Sequence, residues 1–144
     1  MSPPTVALAA DHAGFELKNL LGEEIRRRGL AVLDLGPHDA GAVDYPDMAR
    51  LLAAALGDGR AQRGVLVCGT GIGISIAANR HRHLRAALCH DVTTAVLARR
   101  HNDANVLALG ARVVGAHVAV DCLAAFLDTA FEGGRHQRRI DKLA

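Results

Sequence analysis

Short apolar runs alternate along the chain with longer stretches in which apolar positions recur at helical spacing. Val6 to Ala10, Ala31 to Leu35, Val65 to Val67, Ala86 to Cys89 and Val106 to Leu109 are continuous enough to be strands covered on both faces. Each is followed by a helical pattern, at Phe15 to Arg28, Pro46 to Leu56, Ile72 to Arg80, Thr93 to Arg100 and Ala116 to Phe131. Pro46 suits a first helical turn and Gly29 a helix stop. No linker, internal repeat or low-complexity stretch interrupts the pattern, so one domain over residues 1–144 is expected, ending in a basic helical tail from about residue 131.

Strict alternation of strand and helix predicts an α/β fold: a doubly wound, Rossmann-like sheet of five parallel strands with helices on both faces. The common five-strand order is 2-1-3-4-5, which reverses the direction of winding between the first and third strands. The loops leaving those two strands then flank a crevice of the kind in which such folds bind ligands. Those loops contain Asp11-His12 and Cys68-Gly69-Thr70-Gly71-Ile72-Gly73.

Composition narrows the picture. Half of the 144 residues are apolar, but only 3% are aromatic and none is Trp, so the core must be built from Ala, Val, Leu and Ile. A formal charge of +2 gives no ground for a nucleic-acid partner. The cysteines Cys68, Cys89 and Cys122 are odd in number and far apart, which argues against a disulfide framework or a zinc ribbon and for a reducing compartment. Met1 to Thr5 lack the character of a leader, and no segment approaches the roughly 18 apolar residues of a membrane span. A cytoplasmic protein with no membrane partner is expected.

The glycine-rich run after the third strand carries the strongest chemical signal. Alternate glycines Gly69, Gly71 and Gly73 let the backbone turn sharply and aim its N–H groups at a ligand, while the helix start adds partial positive charge. Such a loop suits an anion, a developing oxyanion or the thiolate of Cys68; the plain alternative is a βα turn beside a buried cysteine. It matches neither the Walker phosphate loop nor the dinucleotide fingerprint. A cysteine phosphatase would need an Arg where Ile74 stands.

Other segments add candidates. His12, at a helix start beside Asp11, is a phosphate ligand or proton shuttle, or else an exposed loop residue next to an N-cap. In His101-Asn102-Asp103-Ala104-Asn105, turn formation explains Asn102 and Asp103, leaving His101 for acid/base work. Arg112 follows the fifth strand, on the edge where the other loops emerge. Arg135 and Arg139 stand four apart and would share a helix face, as a dianion clamp or as a solvated basic end. His81 and His83 have no further ligand at convincing spacing and are placed on the surface; no metal or other cofactor is expected. Cys89 and Cys122 lie in apolar runs and belong to the core.

Taken together, Asp11-His12-Ala13-Gly14-Phe15, Asp44-Tyr45-Pro46, Cys68 to Gly73 with Ala77-Ala78-Asn79, His101 to Leu107 and Glu132-Gly133-Gly134-Arg135-His136 closely resemble the ribose-5-phosphate isomerase B family, which also includes galactose-6-phosphate isomerase. The resemblance spans nearly the whole chain. It implies a cofactor-free, metal-independent aldose–ketose isomerase working through a cis-enediolate, with Cys68 as the base, Thr70 and His101 assisting ring opening, and Asp11 handling a hydroxyl proton. It further implies that His12, Arg112, Arg135 and Arg139 hold the phosphate, that the amides of Gly69, Gly71 and Gly73 face the enediolate, and that Tyr45 and Asn102 line the substrate site. A branch of the family that lacks the cysteine carries a glutamate where Ile74 stands, which sets this chain in the thiol branch. Homodimers or tetramers with active sites shared between subunits are implied, with the His101 region and some of the arginines supplied by the partner. Ribose 5-phosphate is the expected substrate; a tetrose, hexose or deoxy-sugar phosphate is the alternative, and a non-catalytic sugar-phosphate sensor a more distant one.

Overall fold

The computed structural model describes residues 4–143, so Met1 to Pro3 of the N-terminal stretch and Ala144 of the tail lie outside the described residues. The strands are β1 (Thr5–Ala10), β2 (Ala31–Asp34), β3 (Arg63–Cys68), β4 (Ala86–Leu88) and β5 (Val106–Gly110). The helices are α1 (Phe15–Arg27), α2 (Tyr45–Gly57), α3 (Ile72–Ala78), α4 (Val92–Asn102), α5 (Ala116–Asp128) and α6 (Arg135–Asp141). All strand pairs are parallel. The tail is divided: α5 stops at Asp128, and α6 forms separately after the left-handed glycines Gly133 and Gly134.

The strand order is β2-β1-β3-β5-β4, so the expected 2-1-3-4-5 is corrected at one edge. Burial explains the exchange. All five residues of β5 are buried, which demands neighbours on both sides, whereas β4 has only three residues, each partly exposed. A short, half-exposed strand belongs on an edge. The winding reversal between β1 and β3 survives, and β5 now lies directly beside β3, with Gly110 in register with Cys68.

Alternation along β1 divides the core. Val6, Leu8 and Ala10 pack with Leu21 and Ile25 of α1 and with Leu123 and Phe126 of α5, while Ala7 and Ala9 meet Met48, Ala49 and Leu52 of α2 and Ile74 of α3. Each fully buried Leu, Ile or Phe contributes about 1.5–3 kcal/mol by leaving water. These two layers hold the strand ends in place. Among the described residues, no helix is long and apolar enough to cross a membrane.

Candidate active site on two edges of the sheet

Cys68 is the last residue of β3 and is buried, and the chain leaves it through the glycine loop. The Gly71 N–H donates to Cys68 Sγ at 3.1 Å, so a loop amide already faces the sulfur. Gly71 adopts φ 78°, and a Cβ there would come within 2.5 Å of Leu88 and 2.9 Å of the Leu109 backbone; only glycine fits this turn. A Cβ on Gly73 would strike the Tyr45 ring at 2.6 Å, so the ring of Tyr45, at the start of α2, packs closely against the helix that follows the loop. Thr70 is exposed, with its hydroxyl oxygen accepting from the Ile72 N–H at 3.1 Å.

Asp11 continues from β1, and its N–H donates to the Val67 carbonyl at 3.1 Å, which ties the two loops together. Its buried carboxylate accepts from the Gly14 N–H at 3.1 Å, so the capping role holds for this side chain. His12 is exposed, and its Nδ1 accepts from the Val43 N–H at 3.4 Å. That bond puts the proton of the neutral ring on Nε2, the nitrogen left to donate to a ligand. The Arg112 N–H donates to the Gly69 carbonyl at 2.9 Å, and a Cβ on Gly69 would stand 3.5 Å from Arg112 Nη1. Arg112 therefore overhangs the glycine loop, which follows directly from β5 lying beside β3.

The other candidates stand elsewhere. His101 and Asn102 close α4, a helix that runs back toward the edge where the strands begin. At that edge the Asn105 carbonyl accepts from the Gly64 N–H at 2.9 Å, and the Asn105 side chain accepts from the Arg85 N–H just before β4. The Glu132 N–H donates to the Arg100 carbonyl at 3.1 Å, which docks the start of the α6 segment on the end of α4. A recess of about 280 Å³ there is lined by His101, Asn102, His136, Arg139, Ile140 and Leu143. Asp11, His12, Tyr45, Cys68, Gly69, Thr70, Gly71, Gly73 and Arg112 thus gather at one edge of the sheet, and His101, Asn102, Arg135 and Arg139 at the opposite one. Arg112, Arg135 and Arg139 form no ion pair with another described residue.

Several participants were not anticipated. Lys18 is fully buried in α1; its ammonium donates to both Asp34 oxygens at 2.7 and 2.9 Å and to the Pro37 carbonyl at 2.8 Å. It anchors the β2–α2 loop, which delivers the Val43 N–H to His12. The signal was present: Lys18, Leu21, Gly22 and Ile25 stand at i, i+3, i+4 and i+7, so the lysine falls on the buried face of its helix. Glu132 and His136 also surround His101, with a Glu132 oxygen 3.5 Å from His101 Nε2 and the two imidazoles stacked at 4.4 Å. Burial, and then the neighbouring His101, hold His136 below the usual imidazole range. Burial pushes the Cys89 thiol up and that of Cys122 up to about 11, which keeps both protonated and inert in the core.

A family model described as ribose/galactose isomerase matches residues 6–143. The chain belongs to the ribose/galactose isomerase family and, within it, to the ribose-5-phosphate isomerase B type. It is an aldose–ketose isomerase of sugar phosphates. Among relatives, ribose-5-phosphate isomerase B of Escherichia coli K12 is 44% identical over 138 residues, covering 96% of this chain and 93% of that protein. A D-erythrulose-4-phosphate isomerase of Pectobacterium atrosepticum is also 44% identical, over 96% of this chain and 92% of that one. The structure of ribose-5-phosphate isomerase B from Mycoplasma genitalium with bound ribulose-5-phosphate superposes with a TM-score of 0.94 at 41% identity, covering 99% of this chain and 95% of that chain.

Proposed function

We propose that the enzyme interconverts ribose 5-phosphate and ribulose 5-phosphate, with Cys68 as the base and with each active site assembled from opposite sheet edges of two copies of the chain. The observation that carries this reading is the Gly71 N–H directed at Cys68 Sγ, at the end of the strand beside the winding reversal. One edge alone offers a base and an oxyanion-binding loop but only His12 and Arg112 for a phosphate dianion. The opposite edge offers His101 and two further arginines that form no ion pair with another described residue, but neither Cys68 nor the glycine loop. A second copy, turned so that its N-terminal edge faces the first chain's Cys68 loop, completes the set.

In the forward direction His101 and Thr70 promote opening of the sugar ring. The Cys68 thiolate then takes the C2 proton of the open-chain aldose, and the electron pair moves onto the C1 carbonyl oxygen to form the cis-enediolate. Loop amides hold the developing oxyanion, a preorganised electrostatic contribution that needs no rearrangement during the step. Asp11 carries the hydroxyl proton between O2 and O1 while Cys68 returns its proton to C1. The net change is one carbon-bound proton moved from C2 to C1 and one hydroxyl proton moved from O2 to O1. His12, Arg112, Arg135 and Arg139 fix the phosphate, whose remote binding energy holds the reacting carbons against the thiolate. No step calls on a metal.

The equal identity to a relative named for D-erythrulose 4-phosphate favours a second substrate reading, a four-carbon sugar phosphate. Comparing kcat/KM over a panel of four-, five- and six-carbon aldose and ketose phosphates tests both. The five-carbon ester is expected to lead; a clear lead by another ester would reassign the substrate and leave the isomerase chemistry intact.

A further inference from the structure

His101, Glu132 and His136 each present one nitrogen or oxygen within 4.8 Å of the other two. They arrive from the end of α4, the segment after α5 and the first turn of α6, so three pieces of backbone converge on one point. His136 is only 5% exposed, and its buried Nε2 has no hydrogen-bond partner. Buried polar atoms are nearly always satisfied, so this orphan nitrogen asks what ligand it lacks. Two imidazoles and a carboxylate form the donor set of an open zinc-type site, which keeps its fourth position for water or an anion.

We propose that His101, Glu132 and His136 form an inhibitory site for a divalent transition-metal ion of the zinc type, which withdraws His101 from catalysis when it binds. The inhibition rests on the reading of His101 given above; the binding does not. Zinc bonds of about 2.0–2.1 Å in tetrahedral geometry put ligand atoms about 3.3 Å apart. His101 and Glu132 side chains, 39% and 49% exposed, have room to swing inward, while buried His136 is the fixed point. The imidazole planes, now only 14° apart, open in that movement so that their lone pairs converge. Arg135 and Arg139, on the same short helix, oppose a bare dication and favour an anion in the fourth position.

The test is calorimetric titration of zinc ion into chelator-stripped wild type, Cys68→Ser, Glu132→Gln and His136→Gln, with cobalt(II) absorption as a report on ligand type. One ion per chain is expected in wild type and in Cys68→Ser, with no thiolate-to-cobalt charge-transfer band. Binding should weaken at least about tenfold in Glu132→Gln and in His136→Gln. Inhibition of the wild-type isomerase should be reversed by chelation and should shift with the measured affinity. Glu132→Gln is an isosteric change at an exposed position, so it decides the matter even if His136→Gln folds poorly. Undiminished affinity in Glu132→Gln, or loss of binding in Cys68→Ser, would overturn the site. Binding without inhibition would overturn the inhibitory role and the part given to His101, while leaving the metal site standing.

Discussion

The two edges of the sheet are built on different terms. At the C-terminal edge Cys68, Asp11 and the glycine loop are held by backbone bonds to one another, and Tyr45 and Arg112 lie against that loop. At the N-terminal edge His101 is partly exposed, Arg135 and Arg139 project from a seven-residue helix, and Asn102 stands in solvent. A preorganised oxyanion site has to be rigid, because its value lies in not reorganising during the reaction. On the proposed reading, the exposed arginines of the N-terminal edge meet the phosphate only when the other half of the site arrives.

The largest expected effect is at the rigid edge. Cys68→Ala should lower kcat by about a thousandfold or more while sugar-phosphate affinity changes little, because only the proton transfer is lost. Steady-state kinetics beside a direct binding measurement checks it; near-normal turnover in a folded variant would remove Cys68 from its role.

Lys18→Met sharpens the comparison through stability. Removing a buried ammonium that has three partners leaves Asp34 and the Pro37 carbonyl unmatched, at a cost of roughly 3 kcal/mol. Denaturant unfolding reads this directly. A loss below about 0.5 kcal/mol, the scale of an exposed pair, would mean that the anchor contributes no more than a surface contact.

Smaller effects are expected at the proposed phosphate clamp. Arg135→Ala and Arg139→Ala should each cost about 1.5–3 kcal/mol in transition-state binding, roughly ten- to a hundredfold in kcat/KM. The loss should appear on the phosphate ester and hardly at all on the free sugar. Losses under about twofold for both, roughly 0.4 kcal/mol, would assign the phosphate to Arg112 and His12 without them.

How far the sequence disclosed this arrangement follows the same division. Strands, helices and the glycine loop are local patterns, and β1 and β3 emerged where their apolar runs stand. The placement of Cys68 and Asp11 at one sheet edge was legible because each directly follows, or ends, its strand. The order of β4 and β5 was not, since it depends on which strand is buried on both sides, and that is settled by packing. Arg112 shows the consequence: its edge was foreseen, but its position over Gly69 exists only because β5 pairs with β3. Lys18 belongs to no motif that points to a site, although its helical spacing with Leu21, Gly22 and Ile25 places it on the buried face. Glu132 and His136 join His101 across more than thirty residues of chain, with no compact spacing to announce them.

The central claim is that one site draws its base and its ring-opening histidine from different chains. Cys68→Ala and His101→Ala, each nearly inactive alone, can be co-expressed so that their subunits mix. In a mixed dimer one site carries both substitutions and the other carries neither, so random pairing should restore about a quarter of wild-type activity per chain. Recovery near that level, absent when separately purified variants are combined under conditions that prevent subunit exchange, is the predicted result. Activity no greater than the sum of the two single variants, in a preparation shown to contain mixed dimers, would contradict the shared site.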